Sequence, residues 1–268
     1  IGTLMYFVGI ILILLGALLV NSITGYKFRK SFFIIELPEY KLPSLKRAII
    51  SMLGRGKAYI IKAGTIILVC NAVVQIMATF TPGFAVAAED SSNSILAMIS
   101  SPFSTLLIPV VGIASWQLAA AAITGFIAKE NVVGTLATVF CITNFIDTDE
   151  LALVSGGNEV AAIMGITKVA ALAYLMFNLF TPPCFAALGA MNSEMKSGKW
   201  LAGAILFQLA TGYVIGFVVY QVGTLITTGS LGAGFAGGLI GVLIIVAIII
   251  SLCIKAEQNV KKEYSLSA

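Results

Sequence analysis

Histidine is absent from this sequence of 268 residues, and cysteine occurs only four times, at positions 70, 141, 184 and 253. No two cysteines form a Cys-x-x-Cys pair, so zinc-finger, haem-attachment and disulfide-framework sites are not supported. Charged residues are also scarce, at 10% of the sequence against about 25% in an ordinary soluble domain. With 59% hydrophobic residues and a mean hydropathy of +1.03, the chain has too much apolar surface for a water-soluble fold of this size.

The apolar residues are concentrated in long runs with the length of transmembrane helices. An α-helix needs about 20 residues to cross about 30 Å of hydrocarbon, and seven runs come close to this length. They cover residues 4–23, 60–80, 95–113, 116–140, 160–180, 200–226 and 233–254. Pro102 and Pro109 interrupt the third run, which is predicted to be a span, a broken helix or a re-entrant hairpin.

Lysine and arginine are missing from every second connecting segment, and this asymmetry predicts the orientation. Thirteen of the sixteen basic residues lie in segments 24–59, 181–199 and 255–268, whereas segments 81–94, 141–159 and 227–232 contain none. Because positive charge is retained on the cytoplasmic side, the basic segments and the C-terminus are predicted to be cytoplasmic. The net charge of +4 is explained by basic segments facing anionic lipid headgroups, so nucleic acid is not predicted as a partner.

The predicted fold class is all-α: a polytopic transmembrane helix bundle with about seven spans, at least one broken helix and a cytoplasmic interfacial helix. The sequence begins at Ile1 inside an apolar run, without the basic n-region or cleavage site of a signal peptide. We therefore expect it to be a piece of a longer protein.

The cytoplasmic segment 24–59 is predicted to contain an extended part followed by a helix. Pro38 and Pro43 are five residues apart and forbid a helix between them. Ser44 is a good N-cap for the helix that follows, in which apolar residues recur at helical spacing, and such a helix lies in the membrane interface. The segment is either a connector packed under the bundle or a link that carries force or signal from a cytoplasmic domain, with Glu36 and Pro38 as structural or coupling residues.

The fourth apolar run is unusual because Lys129, Glu130 and Asn131 lie near its middle. Each ionised group at the centre of a membrane costs about 2.5 to 3.5 kcal/mol, so these side chains are not expected to face lipid. Either the span is buried by protein nearly all round, or it is unwound between Gly125 and Gly134. The charges form either a structural ion pair or a transport site in which Glu130 binds a cation or a proton, and we favour the transport site.

Lys168, in the next apolar run, is the predicted partner of Glu130. With a rise of about 1.5 Å per residue, Glu130 lies about 15 Å and Lys168 about 12 Å from the external ends of their spans. We therefore expect the two side chains to approach each other, and we assign structural or coupling roles to Lys129 and Lys168.

The fifth run ends in the sequence Asn178-Leu179-Phe180-Thr181-Pro182-Pro183-Cys184, and the apolar character continues beyond it. Two consecutive prolines remove two backbone donors and stop the helix, which predicts a broken transmembrane helix of the kind that transporters use as substrate sites. The freed carbonyls from Asn178 to Thr181 could bind a cation, and the dipole of the following half-helix favours the Cys184 thiolate. Thiolate and oxygen ligands together suit a borderline-soft divalent ion, but Cys184 could equally be a small apolar residue after a kink.

Four motifs of this chain occur in the order in which similar motifs occur in a known family. They are ELPEYKLP at 36–43, KAGTII at 62–67, TGFIAKE at 124–130 and TPPC at 181–184. In this order they resemble the C-terminal membrane region of ferrous iron transport protein B, and the resemblance covers nearly the whole chain. It departs from the family at Pro182-Pro183, where many relatives have a single proline.

The resemblance implies a prokaryotic inner-membrane importer of Fe²⁺ with a cytoplasmic G domain that binds GTP and Mg²⁺. This chain would be the connecting module at 1–23 and 24–59, the second of two Gate-type repeats at 60–227, a final span at 228–254 and a cytoplasmic tail at 255–268. The G domain and the first Gate repeat would belong to the same protein or to a separate chain, and a small cytoplasmic accessory protein is a further implied partner. No Gly-x-x-x-x-Gly-Lys-Ser/Thr loop occurs in the sequence, so the chain itself is not expected to be an enzyme.

The resemblance also identifies Cys184 as the cysteine of the family's Pro-Cys element, on the suspected iron path, and Glu130 as the Gate glutamate. The predicted metal path consists of Cys184, Glu130, Asn131, Asn178 and Thr181, with Pro182 and Pro183 as structural residues. Two other functions stay open: an organic-solute transporter, because Gate repeats resemble parts of nucleoside carriers, and a non-transporting membrane partner of a cytoplasmic GTPase. An intramembrane enzyme is the weakest alternative, because the sequence shows no nucleophile and base pair and no metal motif with histidine.

Overall fold

The computed structural model describes residues 2–24, 44–86, 91–127, 129, 131–140 and 164–267. These residues form nine α-helices and one 3-10 turn, and their extended pairing is limited to an isolated bridge between Phe80 and Val86. The helices are α1 (Gly2–Thr24), α2 (Leu45–Thr79), α3 (Ile95–Val111), α4 (Trp116–Gly125), α5 (Asn131–Val139), α6 (Lys168–Phe180), α7 (Phe185–Met195), α8 (Gly198–Thr228) and α9 (Phe235–Ser267). The predicted all-α fold class is confirmed.

Length and apolar composition identify the helices that can cross a membrane. Within the described ranges three are long and apolar enough, over Met5–Ile23, Gly198–Thr228 and Phe235–Gln258. A fourth candidate is the pair of α3 and α4, which are bent by 96° at a short break. The chain is therefore a multi-pass helical membrane protein, and the full count of seven spans stays a prediction.

The chain divides into two compact units. One comprises residues 44–238, from α2 to the first residues of α9, and it contains the buried core and the site described below. The other comprises residues 1–43 and 239–268, whose described parts are α1 and most of α9. In α1 the window Met5–Ile23 has no buried residue, which suits a helix covered by lipid.

Helix α2 unites the predicted interfacial helix at 44–59 and the predicted span at 60–80. It is a single helix of 35 residues with Ser44 at its N-cap. The Ser44 side chain makes no capping hydrogen bond, so the sequence predicted the start of the helix but not the contact. No proline interrupts residues 45–79, which lets the helix continue from its charged half into its apolar half.

Helices α3 and α4 meet at a corner set by glycine and serine. Pro102 and Pro109 lie inside α3 without ending it. The helix ends at Gly112, whose φ of 87° is left-handed, and a Cβ there would overlap the hydroxyl of Tyr220 on α8. Ser115 then begins α4 by accepting a backbone hydrogen bond in the first turn. The prolines predicted an interruption in this run, but the corner lies beyond them.

The core lies where α6 packs along α8, with α3 and α4 beside them. Glycines of α8 permit the close approach: a Cβ at Gly212 would lie 3.0 Å from the Phe177 carbonyl oxygen, and one at Gly216 would lie 2.8 Å from Val110 Cγ1. Small residues at helix contacts are typical of membrane bundles, which are held together by packing and hydrogen bonds. The buried apolar residues of this core include Val110, Val111, Leu118, Ala170, Ala173, Tyr174 and Tyr220.

The loop from α8 to α9 is held against the end of α3 by the buried side chain of Gln221. Its Nε2 donates to the carbonyl oxygens of Pro109 and Ala233, at 3.3 and 3.5 Å. Its Oε1 accepts a hydrogen bond from the Gly232 amide at 2.9 Å. One neutral side chain therefore joins this end of α3 to the loop.

The predicted span at 160–180 is helical over a shorter stretch in its described part. Gly165 has a φ of 65°, and Thr167 caps the helix by accepting a hydrogen bond from the Ala170 amide at 3.1 Å. Helix α6 therefore begins only at Lys168 and has 13 residues. At about 1.5 Å per residue it is about 20 Å long, less than the thickness of the hydrocarbon core.

Candidate functional site

Four non-helical residues, 181–184, join α6 to α7. In an α-helix the carbonyl of residue i accepts a hydrogen bond from the amide of residue i+4. The partners of the Asn178 and Leu179 carbonyls would therefore be Pro182 and Pro183, which have no N–H. The tandem prolines thus leave two consecutive carbonyl groups at the end of α6 without backbone donors.

Lys129 supplies the missing donors. Its Nζ lies 2.5 Å from the Asn178 carbonyl oxygen, 2.9 Å from that of Leu179 and 3.1 Å from that of Thr181. An ammonium group has three N–H donors, so it can serve all three oxygens at once. The C-terminus of a helix also carries partial negative charge, which stabilises a cation there. We call these three carbonyl oxygens the carbonyl cradle.

Lys129 lies in a turn of the chain between α4 and α5. Helix α4 ends at Gly125, and α5 begins at Asn131. The hydroxyl oxygens of Thr124 and Thr135 are buried and hydrogen-bonded at 2.8 Å, whereas in a continuous helix the two residues would be about 16 Å apart along the axis. The fourth predicted span is therefore not a single helix, and unwinding after Gly125 is the alternative that the structure shows.

Gly125 brings the end of α4 next to the end of α6. A Cβ at this position would lie 2.7 Å from Val132 Cγ2 and 3.8 Å from the Asn178 side-chain oxygen Oδ1. The same two helices are also joined at their buried faces, where the Tyr174 hydroxyl of α6 donates to the Leu118 carbonyl of α4 at 2.7 Å. These contacts position the turn that carries Lys129 against the carbonyl cradle.

Cys184 occupies the N-cap of α7, as the sequence predicted for the residue after the prolines. Its thiol is free and half-buried, and it interacts electrostatically with the Lys129 ammonium. The sulfur thus lies at the end of α7 towards which the positive pole of the helix dipole points. The geometry therefore suits a reactive or ligating sulfur, and the ligand role of Cys184 stays a prediction.

Asn178 and Thr181 contribute backbone oxygens to the cradle and use their side chains to brace it. The Thr181 hydroxyl donates to the Asn178 carbonyl oxygen at 2.9 Å, so this oxygen has a second donor besides Lys129. The Asn178 Nδ2 donates to the Tyr174 carbonyl oxygen at 2.9 Å. Both were predicted as metal-path residues, and their backbone groups are the parts that meet a cation here.

Asn131, the first residue of α5, lies in the wall of a cavity of about 210 Å³. Gln75 and Thr135 provide the other amide and hydroxyl groups of this wall. Thr135 follows Asn131 by one helical turn in the sequence, whereas Gln75 was not predicted to belong to a polar site. The remaining lining residues are Val74, Ala78, Leu96, Gly134 and Val139. The structure thus assigns Asn131 to a polar cavity between α2, α3 and α5.

Of the other predicted residues, the structure describes Lys168, which lies away from the cradle. Lys168 is exposed at the first residue of α6, whereas the cradle is at the other end of that helix. Glu130, Glu36 and Pro38 lie outside the described residues, so the pairing of Glu130 with Lys168 stays a prediction. Over the described ranges, no three His, Cys, Asp or Glu side chains come together in a group that could hold a metal ion.

Sequence reasoning missed the partner of Lys129. It proposed the freed carbonyls as ligands of a cation and gave Lys129 a structural or coupling role, but the structure joins the two. The sequence did contain a signal for this contact. Pro182 and Pro183 cannot donate to the carbonyls four residues earlier, so these carbonyls need donors from elsewhere in the chain, and Lys129 was a donor without an assigned acceptor. Gln208 on α8 was also missed: its Oε1 is buried and has no hydrogen-bond partner in the described part of the chain.

Two family models match the chain in adjacent regions. Residues 3–55 match the model described as "Ferrous iron transport protein B C terminus". Residues 60–198, about half of the chain, match the Gate model, described as "Nucleoside recognition". The boundary between them lies within α2, where the predicted connecting module meets the predicted Gate repeat.

Curated relatives named Fe(2+) transporter FeoB are similar to most of the chain. The protein of Staphylococcus aureus strain MSSA476 is 32% identical over 224 residues, which cover 82% of this chain and 31% of the relative. That of Methanocaldococcus jannaschii is 27% identical over 230 residues, covering 83% and 32%, and that of Salmonella paratyphi A is 27% identical over 260 residues, covering 81% and 33%. The chain thus spans about a third of the length of these relatives. No solved structure matches it significantly.

Proposed function

Because the chain belongs to the Gate family and carries, before its Gate region, the C-terminal module of ferrous iron transport protein B, we propose that it is the membrane part of a GTPase-coupled Fe²⁺ uptake transporter. It would contribute the connecting module, the second of two Gate repeats and part of the ion path. The names of its relatives supply Fe²⁺ as the transported ion. The G domain, the first Gate repeat and a small accessory protein are its proposed partners, and GTP with Mg²⁺ belongs to the G domain.

The proposed topology follows the charge asymmetry of the sequence. Seven spans at the seven apolar runs, with a broken helix at the α6–α7 junction, place the C-terminus in the cytoplasm and the protein in the inner membrane of a prokaryote. The basic segments 24–59 and 255–268 then face the cytoplasm. This arrangement puts the connecting module on the side where a cytoplasmic G domain could contact it.

One observation carries the proposal: carbonyl oxygens without backbone donors lie beside a cysteine at a helix N-terminus, in an apolar part of the chain. Thiolate and oxygen ligands together suit a borderline-soft divalent ion such as Fe²⁺ better than Na⁺ or Mg²⁺. Irregular backbone at membrane depth is retained where it lines a path. We propose an ion path through Cys184, Glu130, Asn131, Asn178 and Thr181.

The test is the uptake of Fe²⁺ by cells that lack other ferrous uptake systems and produce this protein from its complete gene. Replacing Cys184→Ser removes the soft ligand and should lower the initial uptake rate at least tenfold, as measured with radioactive iron under reducing conditions. Cys253→Ser, in α9, is the matched control and should keep the wild-type rate. Normal uptake by both Cys184→Ser and Glu130→Gln, at equal expression, would show that the path is assigned wrongly.

The same uptake assay distinguishes two other functions from Fe²⁺ transport. A nucleoside carrier would take up labelled nucleoside and be indifferent to Fe²⁺ and to Cys184→Ser. A non-transporting partner of a GTPase would bind the GTPase through residues 24–59 and show no flux of either solute.

A further inference from the structure

The carbonyl cradle has the composition of a cation site. It presents three neutral oxygens to one positively charged group, at distances of 2.5 to 3.1 Å. Neutral carbonyl oxygens gathered by an irregular stretch of backbone are how membrane transporters and channels bind small cations. The difference here is that the cation is tethered, because it is the side chain of Lys129.

Lys129 occupies the cradle at a cost that a neutral donor would avoid. A lysine ammonium is strongly hydrated and is expensive to keep at membrane depth. A neutral amide could donate hydrogen bonds to two of the cradle oxygens, in the way that Gln221 donates to the carbonyl oxygens of Pro109 and Ala233. The presence of a full charge where a neutral donor would suffice therefore indicates that the charge is used.

We propose that the carbonyl cradle is a cation site whose resting occupant is Lys129, and that the transported ion enters it when the Lys129 side chain leaves. This inference rests on the proposed function, because the ion that replaces the ammonium is taken to be Fe²⁺. Two positive charges cannot share three neutral oxygens, so the ammonium and the ion exclude each other. The return of Lys129 then drives the ion out of the cradle, and the lysine sets both the affinity and the rate of release.

Lys129 also has a conformational route for leaving. Lys129 lies in a turn between the end of α4 at Gly125 and the start of α5 at Asn131, and its side chain has four rotatable carbon–carbon bonds. Among the described residues, its ammonium is hydrogen-bonded to the three cradle oxygens. The hydrogen bond between Thr124 and Thr135 joins the helices on either side independently of it. The side chain can therefore leave the cradle without separating α4 from α5.

The experiment measures how Fe²⁺ uptake saturates in cells that produce the protein from its complete gene. Lys129→Met removes the competing charge, so the ion should bind more tightly and leave more slowly: KM should fall at least fivefold and Vmax at least threefold. Lys129→Arg keeps a cation with several N–H donors and should leave KM at or above the wild-type value. Lys199→Met, which removes an exposed lysine of α8, is the matched control and should behave as the wild type.

A lysine that only braces the fold predicts a different result. Losing a brace lowers the amount of active protein, which reduces Vmax and leaves KM unchanged or higher. A KM equal to or above the wild-type value in folded Lys129→Met protein, judged by gel filtration in detergent, overturns the proposal. If the Met variant does not fold, Lys129→Gln serves instead, because its neutral amide can still donate to the cradle while removing the charge, and the same fall in KM is required.

A second readout follows the amine itself. Lys129 in the cradle should react slowly with a membrane-permeant amine reagent, and saturating Fe²⁺ under anaerobic conditions should raise its labelling at least threefold, as counted by mass spectrometry. Unchanged labelling in protein that does transport Fe²⁺ overturns the inference and leaves the proposed function standing. Absence of saturable Fe²⁺ uptake by the unmutated protein overturns both.

Discussion

The ends of α3 and α6 both lie among packed helices, but different side chains close them. At the end of α3 the carbonyl of Pro109 accepts a hydrogen bond from Gln221, a neutral amide that also holds the loop before α9. At the end of α6 the carbonyls freed by two prolines accept hydrogen bonds from Lys129, a charged amine. Both solutions satisfy backbone groups that water cannot reach in a membrane.

The difference separates a structural joint from an ion site. The joint at α3 needs donors in a fixed place, and an amide provides them without burying a charge. A lysine at the centre of a membrane costs about 2.5 to 3.5 kcal/mol, which is a reason to expect that its charge is used. We therefore expect changes at the α3 end to affect stability, and changes at the α6 end to affect the binding of the ion as well.

The largest loss of stability is expected from Gly112→Ala at the end of α3. An alanine here would have to adopt the left-handed backbone conformation of Gly112, and its Cβ would overlap the hydroxyl of Tyr220. Left-handed strain of about 1–2 kcal/mol and overpacking of about 1–3 kcal/mol should together lower the free energy of unfolding by about 3 kcal/mol. Unfolding of the purified protein in detergent, followed by circular dichroism, measures it.

Gly229→Ala is the matched control for this change. Gly229 also has a left-handed φ, of 71°, at the end of α8, but no atom lies within 4 Å of its Cβ position. Its replacement should cost only the strain, about 1–2 kcal/mol. Equal losses in the two variants would mean that the contact with Tyr220 does not hold the α3 end.

The helices were predictable where one physical rule dominates. Apolar runs longer than 18 residues predicted α1, α8 and most of α9, because nothing but lipid or protein can cover them. The same rule failed at the fourth and fifth runs, where α4 and α6 are shorter than the apolar stretches that contain them. The charged and polar residues after Gly125 predicted unwinding there as one of two alternatives. No such change in hydropathy marks Gly165, so backbone geometry and the Thr167 cap set the start of α6.

The site was predictable as far as local chemistry reaches. Tandem prolines predicted the end of α6 and the position of Cys184, since both follow from missing N–H groups. The contact between Lys129 and residues about 50 positions away depends on how the α4–α5 turn meets α6, and no periodicity encodes that. Gln75 and Gln208 were missed for the same reason: a single amide in an apolar run has no pattern until its neighbours are known.

The substitution Gln221→Leu tests the end of α3, which is closed by a neutral amide. The change keeps the size of the side chain but removes its hydrogen bonds to Pro109, Ala233 and Gly232. Losing them should lower the free energy of unfolding by about 2 kcal/mol, at about 1 kcal/mol for each well-formed bond. The KM for Fe²⁺ uptake should stay at the wild-type value, in contrast to Lys129→Met. A shift in KM without loss of stability would erase the distinction between the two helix ends.

The smallest expected effect comes from Gly212→Ala on α8, which presses on the α6 end without touching Lys129. The new Cβ would lie 3.0 Å from the Phe177 carbonyl oxygen and 3.1 Å from the Thr181 amide nitrogen, so the backbone beside the cradle must shift by a few tenths of an ångström. Overpacking of about 1–3 kcal/mol, offset by about 0.5–1 kcal/mol of better helix propensity, leaves a net loss of about 1 kcal/mol in detergent unfolding. Gly203→Ala, in the same helix with open space around it, should be slightly stabilising instead.

Because Thr181 supplies the third oxygen of the cradle, Gly212→Ala should also change the KM for Fe²⁺ more than Gly203→Ala does. Identical KM values in the two variants would show that the position of this oxygen is not critical, and would restrict the ion site to the carbonyls of Asn178 and Leu179.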